Sequence, residues 1–352
     1  MKPNRILLLL FLLIFSVSLS GCRTTTLATS WPGVTADQEK AYAAYGSYVM
    51  AINLSNGSQA WQYPEKAENG YAFYAAPTLA DGQLIAGTYS NILVSINPDS
   101  GALNWEFNQA KGRYVASAAV VGDTILAPSA DHTLYALDLK GNLLWTFTTG
   151  HSLWAAPLVE GEDVYLSSMD HFLYKLKIAD GSSDWKTDLG GAIVSTPVAG
   201  TDGQIYVSTL VNEVLAVQTS DGSILWRFKA DDAVWSNPLL VEGTLYFGDL
   251  KGKIYALDAS NGSLKWSQEV GGSLVAAPAA KSDGILFADE NGDLIAMGYG
   301  GQKLWTRTIG DKLYTAPLIT EGKILVPVTK GENLIVALDD NGNQLWTFIP
   351  PK

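Results

Sequence analysis

The stretch Ala256-Leu257-Asp258-Ala259-Ser260-Asn261-Gly262-Ser263-Leu264-Lys265-Trp266 brings a carboxylate, a glycine turn and an indole close together in the chain. Residues of these types have two uses. A flat ligand can stack on the indole while the acid and the turn amides orient it. Alternatively, the acid bonds the amides of a tight turn, the glycine takes a positive φ, and the indole N–H reaches an acceptor on a neighbouring element. The first use makes a site, the second a fastener.

Repetition separates the two. Gly followed four residues later by Trp occurs at Gly57/Trp61, Gly101/Trp105, Gly141/Trp145, Gly181/Trp185, Gly222/Trp226, Gly262/Trp266, Gly301/Trp305 and Gly342/Trp346. Successive tryptophans stand 44, 40, 40, 41, 40, 39 and 41 residues apart. A ligand site is one place, whereas this group recurs in every copy, so the tryptophans are read as structural. Asn53, Asn97, Asp138 and Asp339 take the place of Asp258, and Ala51, Ser95, Ala136, Ala216, Ala296 and Ala337 that of Ala256. Copy four matches least well, with Lys175 and Lys177.

Other chemistry finds little support. No metal-ligand spacing of His, Cys, Asp or Glu occurs, nor a nucleophile elbow or phosphate-binding glycine loop. His132 and His171 hold the same hairpin-turn position in neighbouring copies and read as turn residues.

The elements that must position these residues are strands. Each copy holds four short β-type runs, as in SNPLLVEG, TLYFGDL, KIYALDA and LKWSQEV of copy six. Val, Ile, Tyr, Trp and Thr dominate them, apolar residues alternate within several, and no copy shows a 3.6-residue period. Ser90-Asn91, Asp131-His132, Asp170-His171, Lys251-Gly252 and Asn291-Gly292 link the second and third runs with hairpin-turn chemistry. Repeats of this length with four antiparallel strands predict an all-β, eight-bladed β-propeller of four-stranded blades with tryptophan-docking motifs. Copy one begins with a first strand at Ser30-Trp31-Pro32-Gly33-Val34, and copy eight ends with the fourth at Trp346–Ile349. Every blade is thus contiguous in sequence, and the ring is expected to close by side-chain packing between blades one and eight.

With the repeats structural, function is sought where the copies differ. Three residues before the first-strand position of Pro77, Pro157, Pro197, Pro238, Pro278 and Pro317, blades two to eight read Tyr74, Val115, Trp154, Val194, Trp235, Val275 and Tyr314. Aromatics and valines alternate, which in a ring of eight sets four aromatics at about quarter-turn intervals near the axis. One reading is an aromatic-rimmed funnel for a flat ligand or a partner's side chain. The plainer one, favoured on the residues alone, is that large and small side chains alternate so that a crowded axis can pack. Arg113, His151, Lys312, Asp231 and Asp232 share the connecting loops and supply candidate polar contacts.

The N-terminus carries an address. Lys2 and Arg5 precede the apolar run Ile6–Leu19, which is short for a membrane span and suits a signal peptide. It ends in Leu19-Ser20-Gly21-Cys22, a lipobox pattern, and Cys22 is the only cysteine, so no intrachain disulfide forms. The expected organisation is a lipoprotein signal peptide at 1–21, lipidated Cys22 with a tether at 22–29, and the propeller at 30–352. Residues 23–29 span at most ~25 Å when extended. Loss of Lys2 and Arg5 leaves 21 basic against 35 acidic residues, a mature charge of −14, which speaks against nucleic-acid binding.

On the repeats, over residues ~30–349, the chain resembles the quinoprotein-like (PQQ-repeat) propellers. With the lipobox, it is most similar to the BamB family of outer-membrane protein assembly factors, which share the eight blades, the lipid anchor and the YALD…G…W repeat. The resemblance implies a non-catalytic, monomeric protein-interaction scaffold, held to the membrane by its lipid. Its partner would be a cell-envelope protein, namely the periplasmic repeats of the central barrel protein. It also implies the periplasmic face of the outer membrane, or the outer face of the plasma membrane in a host with a single membrane. GGAIVSTP and ADDAVWSNP, where that family has longer loops with an arginine, are short and lack it, so no contact residue carries over. The alternatives are a PQQ-dependent dehydrogenase and a small-solute or sugar sensor using the funnel. The first needs a calcium site with a catalytic Asp and often carries a vicinal Cys pair, which Cys22 alone cannot supply; no cofactor is therefore expected.

Overall fold

The computed structural model describes residues 31–67 and 71–351. The signal segment, Cys22 and the tether lie outside them.

Eight four-stranded antiparallel sheets follow one another along the chain, at 33–63, 78–107, 119–148, 158–188, 198–229, 239–269, 279–308 and 318–348. Blade 6 is typical: Leu239–Val241, Thr244–Gly248, Lys253–Asp258 and Leu264–Glu269 pair in chain order. The first strands of neighbouring blades lie against one another around the axis, and the fourth strands form the perimeter. Burial explains the residue choices. The second and third strands, covered on both faces by adjacent blades, are continuous apolar runs such as Leu245-Tyr246-Phe247 and Ile254-Tyr255-Ala256-Leu257. The fourth strand, at the rim, is largely exposed. Each core belongs to a junction between blades; Val214 and Ala216 of blade 5 pack with Leu245, Phe247 and Leu257 of blade 6.

The turns behave as their residues require. Asn91, His132 and His171 take positive φ values of 68°, 72° and 77° between the second and third strands, and Gly252 and Gly292 do so at 79° and 86°. Asp258 Oδ1 accepts the Ser260 N–H, and Asp138 Oδ1 accepts those of Lys140 and Asn142.

In seven blades the motif tryptophan stands opposite a small residue on the third strand (Ala256 faces Trp266), in blade 4 Trp185 faces Lys175, and in every blade a β-bulge follows immediately. The bulge leaves one fourth-strand residue unpaired and turns the strand, aiming the indole at the next blade. That extra residue is the exposed Leu144, Leu225, Leu304 or Leu345 in four blades. Indole N–H groups then donate across the junction: Trp61 to Pro98 O, Trp105 to Leu139 O, Trp145 to Ile178 O, Trp185 to Thr219 O, Trp226 to Ala259 O and Trp266 to Tyr299 O, all at 2.9–3.1 Å. In copy four, Lys175 shares the Thr219 carbonyl with Trp185 and pairs with Asp163 at 2.9 Å. Trp305 differs: Arg307 lies over its ring and supplies the donors, to Gly342 O and Asn341 O.

The ring closes through side chains. No described strand of blade 1 joins the sheet of blade 8. Val34, Met50 and Ile52 instead share a core with Leu325, Ile335 and Ala337, and Trp346 donates to Leu54 O at 3.0 Å.

Candidate functional site

The alternating aromatics converge. Tyr74, Trp154, Trp235 and Tyr314 line one axial cavity of about 260 Å³, with Val115, Val194 and Val275 between them and Ala, Ser, Thr and Asn side chains behind. The small residues are there because first strands from all eight blades crowd the axis: a Cβ on Gly33 would lie 2.1 Å from the Ala76 nitrogen. Trp31 joins them. Sequence alone set Trp31 inside the first strand, but that strand is Gly33–Ala36, and Trp31 precedes it at the blade 1 position of the ring. Its ring lies 5.2 Å from that of Tyr314. A second cavity of about 420 Å³ adjoins the first between Trp31, Trp235 and Tyr314, bordered by Leu250, Ser273, Val275, Glu290, Thr329 and Lys330.

Tyr89, on the turn between the second and third strands of blade 2, extends the aromatic surface. It stacks on Tyr74 at 3.8 Å, and the Arg113 guanidinium lies 4.6 Å from its ring centre. Lys312 stands 5.5 Å from the centre of the Tyr314 ring, whose hydroxyl holds the ammonium protonated above its ordinary range. Around the ring the order is Lys312, Tyr314, Trp31, Tyr74, Tyr89, Arg113, in two ring pairs, Tyr314–Trp31 and Tyr74–Tyr89, that line the same cavity through Trp31 and Tyr74. His151 is elsewhere, stacked on His132 at 5.4 Å with its Nδ1 accepting the Ser152 N–H. Asp231 pairs with Lys253 at 2.8 Å, and Asp232 Oδ1 accepts the Ala233 N–H.

Three polar atoms of residues that line the two cavities are buried without a partner: Trp154 Nε1, Ser236 Oγ and Thr329 Oγ1. Buried polar groups are nearly always paired, so such a cluster is unusual. Among the described residues no group of three or more His, Cys, Asp and Glu side chains could hold a metal ion.

A buried carboxylate on the same face behaves differently from its counterparts. Its counterpart in blade 6, Asp249, accepts the hydroxyl of the third-strand Tyr255 at 2.8 Å, and Asp131 and Asp170, two places further along their turns, accept those of Tyr135 and Tyr174 at 2.8 and 2.6 Å. Blade 7 has Ile295 in place of the tyrosine, and Asp289 Oδ2 is left without a partner. Burial pushes the Asp289 carboxyl above its ordinary range. A raised folded-state value favours the protonated acid: its contribution is complete below the ordinary carboxylate value and is lost as pH rises through the raised one. Asp289→Asn keeps an acceptor for the Asn291 and Asp293 amides and is expected to stabilise the protein at pH 7 by about 1 kcal/mol. That gain should disappear at acid pH, and a pH series of urea unfolding curves for both proteins checks it.

The fold and repeats define the class, an eight-bladed propeller of PQQ-type repeats. The family model described as outer membrane protein assembly factor BamB matches residues 25–170, 93–194, 173–299 and 269–350, and the chain belongs to that family. Assembly factors BamB of Legionella pneumophila and Burkholderia pseudomallei are 27% and 28% identical over 138 and 127 residues, or 39% and 36% of this chain. The matched segments span about a third of those relatives, 34% and 33%. A beta-alanine-activating enzyme of Drosophila melanogaster is 25% identical over 207 residues, but only 20% of its length is involved. In fold, BamB of Moraxella catarrhalis superposes with a TM-score of 0.74 at 18% identity, covering 86% of this chain and 92% of that one. A computationally designed protein, Ika8, does so with the same TM-score at 13% identity, covering 91% of this chain and 96% of its own.

Proposed function

We propose that this chain is a lipid-anchored, non-catalytic scaffold of the bacterial cell envelope that takes part in the assembly of outer-membrane proteins. The observation that carries it is the family match, which reaches from residue 25 to residue 350 and so takes in every blade. In this reading the lipid on Cys22 holds the propeller at the periplasmic face of the outer membrane. The aromatic axial mouth (Tyr74, Trp154, Trp235 and Tyr314, with Arg113 and Lys312 at its edge) receives a protein partner. The motif tryptophans keep the ring rigid beneath it.

Crosslinking in the native envelope, followed by identification of the attached proteins, tests the scaffold. A barrel-assembly protein among the products is expected; its absence would overturn the reading. The anchor has a separate test. Cys22→Ser is expected to move the protein from the membrane fraction to the soluble one and to abolish incorporation of labelled palmitate. A variant still sedimenting with membranes would count against lipidation at Cys22.

A further inference from the structure

Equivalent positions around the mouth reveal its charge. In blades 2 to 8 the turn between second and third strands donates an amide to the residue two places before the ring position: Tyr89 to Ala72, Ala130 to Arg113, Met169 to Ser152, Leu210 to Ala192, Leu250 to Ala233, Glu290 to Ser273 and Thr329 to Lys312. Only two acceptor residues have long side chains, and both are cations, Arg113 and Lys312. Glu290 is the single acid among the donors, and Lys330 follows Thr329 at the edge of the second cavity. The residues lining the two cavities, together with these turn partners, thus carry Arg113, Lys312 and Lys330 against Glu290, which lies within electrostatic reach of Lys312, with Asp311 and the buried Asp289 close by, in a chain whose formal net charge is −12. Arg113 and Lys312 enter no ion pair among the described residues; both lie over tyrosine rings at the two ends of the aromatic arc.

Chemistry selects the occupant. The aromatic arc offers flat apolar surface, and aromatic side chains are the groups that anchor protein partners in such pockets. The flanking cations favour carboxylates and disfavour basic segments. We propose that the axial mouth is a docking site for an acidic peptide segment bearing aromatic side chains. The rings stack within the arc of Tyr314, Trp31 and Tyr74, and the carboxylates pair with Arg113 and Lys312. This identification of the partner rests on the scaffold reading above.

The test uses the full-length lipidated chain in detergent and acetylated, amidated, dye-labelled hexapeptides alternating Phe with Asp, Ser or Lys. Anisotropy titrations should rank them Asp over Ser over Lys, with affinity for the Asp peptide falling as salt rises. Arg113→Glu with Lys312→Glu should weaken the Asp peptide by about tenfold or more and reverse its advantage over the Lys peptide. Arg113→Gln with Lys312→Gln should give an intermediate loss. Both substitutions sit at surface loops, and unchanged melting confirms that the fold is intact. Equal binding of Asp and Lys peptides, or an Asp affinity untouched by charge reversal, would overturn the proposal. So would saturation of the mouth by free phthalate with no peptide bound, which would make it a small-anion site. Envelope crosslinking of the charge-reversed chain separates the two readings. A partner captured equally well leaves the scaffold standing and removes the mouth from it. Peptide ranking as expected without any captured assembly protein removes the scaffold and leaves the mouth.

Discussion

Trp346→Ala should cost about 3 kcal/mol of unfolding free energy and split the unfolding of the ring into two transitions. The corresponding change at an internal junction, Trp226→Ala, should cost about 2 kcal/mol and leave one. Both indoles are half-buried and both donate to a carbonyl of the next blade, at 3.0 and 3.1 Å. They differ in what else joins the blades. At Trp226 the chain itself runs from blade 5 into blade 6. Between blades 8 and 1 no described strand crosses, and the junction rests on the shared apolar core, the Trp31–Tyr314 ring contact, the Trp346 bond and the closeness of its ring to Gly57. Urea unfolding followed by circular dichroism and by tryptophan fluorescence reads both costs. Coincident single transitions with equal losses would show that closure carries no special burden.

Gly262→Ala is expected to lose about 3 kcal/mol, from roughly 1 for a non-glycine residue at positive φ and the rest from overpacking. Gly262 has φ 73°, and a methyl group there would lie 2.6 Å from Cε3 of Trp226. The indole cannot retreat without leaving the Ala259 carbonyl that its N–H bonds. Gly46→Ala separates the two causes, because Gly46 has φ 56° and nothing within 4 Å of a built Cβ. It should lose only about 1 kcal/mol. Similar losses for the two variants, measured as shifts in denaturation midpoint, would mean that the ring contact matters little.

The parts of the structure that repeat were open to reading in advance. Trp266 and its counterparts recur because every junction poses the same packing problem, so the blade number, the strands and the small residue at Ala256 follow from spacing. The alternation of Tyr74, Val115, Trp154, Val194 and Trp235 was visible for the same reason, and the ring geometry brings these residues to one axis. What lay hidden depends on contacts between non-equivalent residues. Trp31 lacks the proline register of the other blades, since Pro32 follows it directly and Gly33 packs on the Ala75–Ala76 backbone. Tyr89 reaches the mouth only by stacking across from its turn to Tyr74. Asp289 differs from Asp249 through the exchange of a tyrosine for Ile295 on a different strand. Arg307 replaces an indole bond at one junction through a residue two places beyond the motif. A periodic pattern exposes what the copies share, and each of these features arises from a single copy.

Trp31 has one more consequence. It is part of the mouth, and the stretch from Cys22 to Trp31 reaches at most ~30 Å when fully extended. With the proposed lipid on Cys22, the chain leaves the propeller from the mouth's own side, while the Asp- and Asn-rich turns such as Asp258–Gly262 lie on the opposite face. A lipid there would keep the mouth in a thin layer beside the bilayer, where a partner fixed in the same membrane would meet it at an effective concentration on the order of millimolar. Weak contacts at each ring and cation would then suffice, and occupancy would respond to how many partners share the membrane more than to the strength of any one contact.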